Sequence, residues 1–266
     1  MLTGSHIRNS HCDKATEKKQ PVNNSKYHKL KNMETMLDNP AWWALNSYHA
    51  SFALGSDLAK RYRPGVLPFA ACRSATQNCM DKLDPLITTG ESFYLIGDLP
   101  PLSPIWVMEL ELPCAQLIGP KEITVPEDIP MYLLGEADKD EMYELINSMQ
   151  PGYYNRDTRL LGEYYGIRQD GRLVSMAGER MRLSATSGDS PGSGRYSELS
   201  AICTHPQYTG RQYAQRLIAR LCRMQLESGI TPFLHVAKSN TRAIRLYEHL
   251  GFTHRREISF SRIRKV

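Results

Sequence analysis

The chain has 266 residues, 41% of them hydrophobic and 23% charged, the balance of a folded soluble protein rather than of a disordered or membrane-embedded one. Its formal net charge of +5 is unevenly placed, because residues 1–36 hold seven Lys/Arg against three Asp/Glu and leave +1 for the remainder. The folded part is therefore expected to be near neutral, and the charge reads as a solvated basic tail rather than as a nucleic-acid-binding surface.

Cysteines stand at 12, 72, 79, 114, 203 and 222, with no C-x-x-C pair and no His at metal-ligand spacing beside them. Neither a metal site nor a disulfide framework is expected. No apolar h-region and no run of eighteen apolar residues occurs, which gives the expectation of a cytoplasmic protein without a membrane span.

Large side chains begin at about Leu37, and Trp42, Trp43, Leu45, Tyr48 and Phe52 then follow closely. Residues 37–119 read as a small α+β unit of short segments, including Phe93–Ile96 before Gly97 and Trp106–Leu110 before Pro113, cut by Pro-rich turns. Residues 120–130, with Pro120, Pro126 and Pro130, read as a linker. Beyond it the signals alternate. A strand is expected at Met131–Leu134, then a helix over about 138–149 with Met142, Leu145, Ile146 and Met149 on one face. Tyr164–Arg168 and Leu173–Leu183 read as strands of a hairpin turned by Asp170-Gly171, since both turn positions tolerate positive φ. Ser184–Gly194 reads as a mobile loop and Tyr196–Thr204 as a strand. A helix over about 211–228 carries the stripe Ala214, Leu217, Ile218, Leu221 and Cys222. Phe233–Ala237 reads as a strand, Asn240–Leu250 as a helix closed by Gly251, and Phe252–Arg264 as the last strand or strands.

Chemistry is concentrated where the strand ending at Thr204 turns through Thr209-Gly210-Arg211-Gln212-Tyr213-Ala214 into a helix. A helix N-terminus offers free N–H groups and partial positive charge, and Gly210 lets backbone approach an anion closely. The segment resembles the pyrophosphate loop of the GNAT superfamily of CoA-dependent acyltransferases, Gln/Arg-x-x-Gly-x-Gly/Ala. Ala214 fits that pattern, whereas Thr209 replaces Gln/Arg and Gln212 replaces the central Gly. The stretch Phe233–Phe252 is similar to the family's second cofactor segment, with Asn240, Ala243, Tyr247 and Gly251-Phe252 in the matching places. Its wording suggests the FR-type, glycine-N-acyltransferase-like branch, and the resemblance covers about half of the chain.

The resemblance implies an α/β (α+β) GNAT acyl-CoA N-acyltransferase fold over 131–266, with a mixed central sheet and two splayed parallel strands, preceded by the smaller α+β unit. It implies acetyl-CoA as co-substrate, no metal, and an amine acceptor, a small molecule or a peptide, that attacks the thioester directly. Backbone groups of Ile202 and Thr204 would hold pantetheine, the Cys203 N–H would face the thioester carbonyl, and Thr209, Gly210, Arg211, Gln212, Tyr213 and Ala214 would hold the pyrophosphate. Asn240 would contact pantetheine through its side chain. Tyr247, two helical turns after Asn240, would protonate the departing thiolate, with Glu198 first and Glu179 second as candidate bases. Two acidic groups lining the site would suit a cationic amine. Specificity would lie in Met149–Leu161, in the loop Ser184–Gly194 and in the N-terminal unit. A CoA-binding module of the same fold without catalysis is the alternative that Gln212 raises. Gly188-Asp189-Ser190-Pro191-Gly192 fits the serine-hydrolase elbow in letters only, because Pro191 has no N–H to offer an oxyanion.

Overall fold

The computed structural model describes residues 1, 36–126, 128–184 and 195–266. The basic tail at 2–35, the expected loop at 185–194 and the hydrolase-like Gly188–Gly192 lie outside the described residues.

Eight strands form one mixed sheet in the order β4-β11-β5-β10-β9-β8-β7-β6. In chain order these are β4 (Ser92–Ile96), β5 (Trp106–Ile118), β6 (Tyr132–Leu134), β7 (Tyr164–Gln169), β8 (Arg172–Ser184), β9 (Arg195–Thr204), β10 (Thr231–Ala237) and β11 (Thr253–Lys265). A three-stranded sheet, β1 (Ala53–Gly55), β2 (Ala59–Tyr62) and β3 (Ala70–Cys72), precedes them. Helices are α1 (Pro40–Leu45), α2 (Gln77–Leu83), α3 (Lys139–Met149), α4 (Tyr213–Glu227) and α5 (Thr241–His249). The expected helices and strands beyond Met131 are all present, and the Asp170-Gly171 turn has φ 50° and 79°, as a two-residue hairpin requires.

The sheet runs straight across the boundary expected at 120–130. β5 is a 13-residue strand paired antiparallel with β11 on one side and with β10 on the other. Pro113, read from sequence as a stop, is accommodated inside it. Lys238 N–H donates to the Pro113 carbonyl, so this residue's backbone points toward β10, whose ladder with β5 begins only at Cys114. The missing proline N–H therefore removes no strand-to-strand bond. Such a position cannot be seen in the sequence, because which neighbour faces the proline is a tertiary fact.

One face of the sheet carries α4, whose Leu217, Leu221 and Cys222 are fully buried with Ile167, Val174, Leu199 and Leu234. The other face carries the N-terminal segment, with Leu37, Ala44 and Leu45 against Met181, Leu183 and Phe260, and α3, with Met142 and Ile146 against Met176 and Ala201. Cys72 and Cys79 are disulfide-bonded, tying the end of β3 to α2 with their Cα atoms 5.6 Å apart. This corrects the expectation drawn from spacing, since a C-x6-C pair becomes bondable only when a turn brings strand and helix together. Cys114, Cys203 and Cys222 are free and buried.

A fragment of residues 131–266 lacks β4 and β5 and so opens a gap between β10 and β11. It should be insoluble or lack a cooperative urea transition by circular dichroism, whereas residues 36–266 should unfold cooperatively.

Candidate functional site

β9 and β10 are parallel neighbours only over Tyr196–Glu198 and Thr231–Phe233. Past Glu198 they separate, and the gap opens into a cleft of about 310 Å³ walled by Leu199, Ser200, Ala201 and Ile202 from β9 and by His235, Val236 and Ala237 from β10. Within this gap the inner edge of β9 has no ladder partner, which leaves backbone N–H and C=O groups available to an extended ligand.

Ala201 sets the geometry of that edge. It has φ +51°, a left-handed conformation costly for a side-chain-bearing residue, and lies in a bulge between the pairs Met176↔Cys203 and Gly178↔Ser200. The extra residue inverts the alternation of faces. Leu199 and Ile202 pack toward α4, whereas Ala201 and Cys203 pack toward α3. The backbone roles expected of Ile202, Cys203 and Thr204 do not depend on which way their side chains point. Ile202 lines the cleft, but Cys203 is buried under α3 with its thiol pushed up to about 12 by burial, and the Thr204 hydroxyl hydrogen-bonds Ser175 at 2.8 Å.

After β9 the chain turns through Thr209–Gln212 into α4. Gly210 and Gln212 both have positive φ, 79° and 59°, and a Cβ at Gly210 would meet nothing within 4 Å. The first backbone bond of the helix runs from Arg216 N–H to Gln212 C=O, so the N–H groups of Gly210 to Gln215 have no backbone acceptor among the described residues. The Gln212 side chain is turned along α4, accepting from Arg216 at 3.1 Å. Arg211 stacks over the Tyr208 ring at 5.1 Å, the Thr209 hydroxyl donates to the Pro206 carbonyl, and Tyr213 is buried in the core. Gly210, Arg211, Gln212 and Ala214 can thus offer backbone to an anion, while the Tyr213 side chain serves packing.

Asn240 caps α5, its Oδ1 accepting from Ala243 N–H at 3.1 Å, and it lines the cleft with its Nδ2 still available. Tyr247 lines the same cleft. Its hydroxyl has no hydrogen-bond partner among the described residues, and burial pushes it up to about 12.

The two candidate bases stand elsewhere. Glu179 faces α4, 1% exposed, accepting from the Ser197 hydroxyl at 2.6 Å, the Gln225 amide at 3.0 Å and Glu163 N–H at 3.1 Å. Glu198 is completely buried on the opposite face. It accepts from Arg180 Nε and Nη2 at 2.8 and 2.5 Å and from His235 Nδ1 at 2.7 Å. Burial by itself would raise its pKa, but the Arg180 charge and hydrogen bonds, then those of His235, bring it down to about 2. Neither carboxylate lines the cleft, and one so acidic and fully engaged is a poor proton acceptor at neutral pH. Both are structural anchors.

What Glu198 holds does reach the cleft. Arg180 and His235 line it, together with Cys114 and Phe260. His235 lies between Glu198 and Gln116, its Nδ1 2.7 Å from the carboxylate and its Nε2 2.9 Å from Gln116 Nε2, while Gln116 Oε1 accepts from Arg255 at 2.7 Å. Gln150, Pro151, Tyr153 and Tyr154, from the Met149–Leu161 segment, also line the cleft. Sequence reading missed Arg180 and His235; His235 is a lone ring inside the otherwise mostly apolar β10, whereas Arg180 stands among other charged residues of β8 and carries no local signal.

A GNAT-family protein from Novosphingobium aromaticivorans DSM 12444 is 32% identical, superposes with a TM-score of 0.75, and is matched over 86% of this chain and 98% of its own. The chain belongs to the GNAT family. Residues 164–261 of this GNAT protein also match the family model described as FR47-like protein. A GCN5-related N-acetyltransferase from Kribbella flavida, 13% identical, shares the fold with a TM-score of 0.55 over 88% of this chain and 95% of that one. Among curated proteins none matches the sequence. Acyl transfer is accordingly the chemistry of the family to which the cleft belongs. Among the described residues no helix is long and apolar enough to cross a membrane.

The depressed pKa of Glu198 makes a pH prediction. A group whose folded pKa lies below its unfolded value of 4.5 stabilises the fold above that pH and loses this contribution as pH falls toward 2. The loss should be on the order of 3 kcal/mol by urea denaturation. Glu198→Gln leaves the Arg180 charge buried without its anion, so it should cost ~3–5 kcal/mol at pH 7 and flatten the acid limb.

Proposed function

We propose that this protein transfers an acetyl group from acetyl-CoA to a primary amine by direct attack on the thioester. The observation that carries this reading is the parting of β9 and β10 directly after Glu198 and Phe233. The pantetheine arm, with its amides, suits the unpaired edge Leu199–Ile202, and the pyrophosphate suits the free N–H groups between Gly210 and Gln215. Asn240 Nδ2 is a further donor along that path. Thr209 and the side chain of Arg211 contribute less, being engaged with Pro206 and Tyr208.

The amine nitrogen attacks the thioester carbon, the C–N bond forms, the C–S bond breaks, and the sulfur takes the proton of the Tyr247 hydroxyl. An exposed thiol, with pKa of about 8.5, would be too weak a base to take a proton from a phenol near 12. Burial alters that comparison. Cys114, a thiol on the wall of the same cleft, is itself pushed up to about 12, so transfer from Tyr247 to a desolvated thiolate there is close to balanced. The proton lost by the attacking amine goes to water at the open mouth of the cleft, and Tyr247 is reprotonated from the same source.

Calorimetric titration should find saturable binding of acetyl-CoA and CoA, and thiol release with an amine panel should follow. Tyr247→Phe should lower kcat by roughly 10²–10⁴-fold with little change in KM for acetyl-CoA. Its melting temperature should hold, because the hydroxyl has no partner to lose. A kcat within threefold of the parent would remove Tyr247 from this role. Tight CoA binding without thiol release would instead favour a binding module, the reading that Gln212 raises.

A further inference from the structure

The turn into α4 contains a residue that its own backbone does not favour. Gln212 has φ 59° and ψ 19°, left-handed values that weigh roughly 5- to 30-fold against a residue with a Cβ, whereas glycine adopts them readily. Such a conformation persists only where the surroundings hold it. Here the holding group is a side chain one turn along α4. Arg216 donates from Nη1 to Gln212 Oε1 at 3.1 Å, and from Nε and Nη2, side-on, to the two carboxylate oxygens of Asp128 at 3.1 and 2.8 Å. A guanidinium is planar, so the paired bonds to Asp128 fix the direction in which Nη1 points.

Asp128 belongs to the segment between β5 and β6, which reads in the sequence as a linker. Ile123, Ile129 and Met131 of that segment pack, partly buried, on the cluster that holds Leu217, Ile218 and Leu221 of α4. Their docking keeps Asp128 beside the first turns of the helix although 88 residues separate it from Arg216.

From this we infer that Asp128 and Arg216 are positioning residues of the cofactor site, which together hold Gln212 in the left-handed conformation that frees the N–H groups of Gly210 to Gln215 for a diphosphate. The inference rests on the acetyl-CoA reading and deepens it. Gly210 and Gln212 are the left-handed residues of this loop, and the one that is not glycine is the one whose side chain is tethered. The tether also draws the Gln212 side chain along the helix, off the free N–H groups. With Nε, Nη1 and Nη2 all engaged, Arg216 acts on the anion through the backbone of residue 212. A glycine there would need no tether, so the two positions are coupled: the tether matters while residue 212 is Gln and ceases to matter when it is Gly.

A double-mutant cycle on the full chain, read by calorimetric titration with CoA, tests that coupling. Arg216→Lys keeps the charge but lacks the fork, and should weaken CoA roughly fivefold or more. Asp128→Asn should weaken it in the same direction by about twofold, as suits a partner at the surface. In a Gln212→Gly background, adding Arg216→Lys should change the affinity by less than about twofold, because glycine holds the left-handed conformation unaided. A merely structural role for Arg216 would lower the melting temperature in both backgrounds and leave the CoA affinity of the folded chain unmoved, which would overturn the inference. Equal loss of CoA affinity in both backgrounds would also overturn it, by marking Arg216 as a direct partner of the diphosphate. In either case the acetyl-CoA reading stands. No saturable CoA binding by the parent chain overturns that reading, and the inference with it.

Discussion

A ladder of polar side chains crosses the sheet where it divides, and the cleft depends on it. Five consecutive strands each contribute one residue: Arg255 from β11, Gln116 from β5, His235 from β10, Glu198 from β9 and Arg180 from β8. At one end Asp38 receives Arg255, and Gln116 also donates to the Leu37 carbonyl at 2.7 Å, so the N-terminal segment is tied into the same chain of bonds. Glu198 and Phe233 form the last pair of the parallel ladder, and the ladder's central charge thus sits at the root of the cleft. Removing any one member leaves a buried donor or charge unpaired, which costs more than its bond was worth. The strand separation that admits a ligand is held by side chains in place of the backbone bonds that β9 and β10 no longer make.

Chemical roles follow from which face of the sheet each polar group occupies. On the α4 face Glu179 is spent on Ser197, Gln225 and Glu163. On the opposite face Glu198 is spent on Arg180 and His235. Acidic groups therefore serve as internal struts, and the cleft wall is left with donors such as Arg180, Tyr247 and the amide of Asn240. Such a wall favours ligand groups that arrive with lone pairs, such as a carbonyl oxygen. It also keeps phenols protonated, because burial raises their pKa by more than the neighbouring arginines lower it.

Two backbone irregularities connect the fold to the site. The bulge at Ala201 rotates the second half of β9 so that Cys203 turns under α3, and the left-handed residues Gly210 and Gln212 bend the following loop so that successive N–H groups come free before α4 begins. Gln212 meets a conformation suited to glycine and directs its side chain to Arg216, away from the free N–H groups. The loop's departure from the family pattern thus falls on a residue whose backbone keeps the glycine-like geometry.

Sequence alone determined the elements beyond Met131, because hydrophobic period, the Asp170-Gly171 turn and the Gly251 stop are local signals that act over a few residues. It also determined the family and the positions of Asn240 and Tyr247, which share one helix and a fixed spacing. Tertiary structure decided the rest. Whether Pro113 ends a strand depends on which neighbour it faces, and whether Cys72 and Cys79 bond depends on the turn between them. The bulge that turns the Cys203 side chain under α3 depends on the register of β8 against β9. The carboxylates Glu179 and Glu198 look like bases in a sequence because both are acidic residues on neighbouring strands. They become anchors only once Gln225, Arg180 and His235, distant in the chain, are folded against them, and that same folding brings Arg180 to the wall of the cleft.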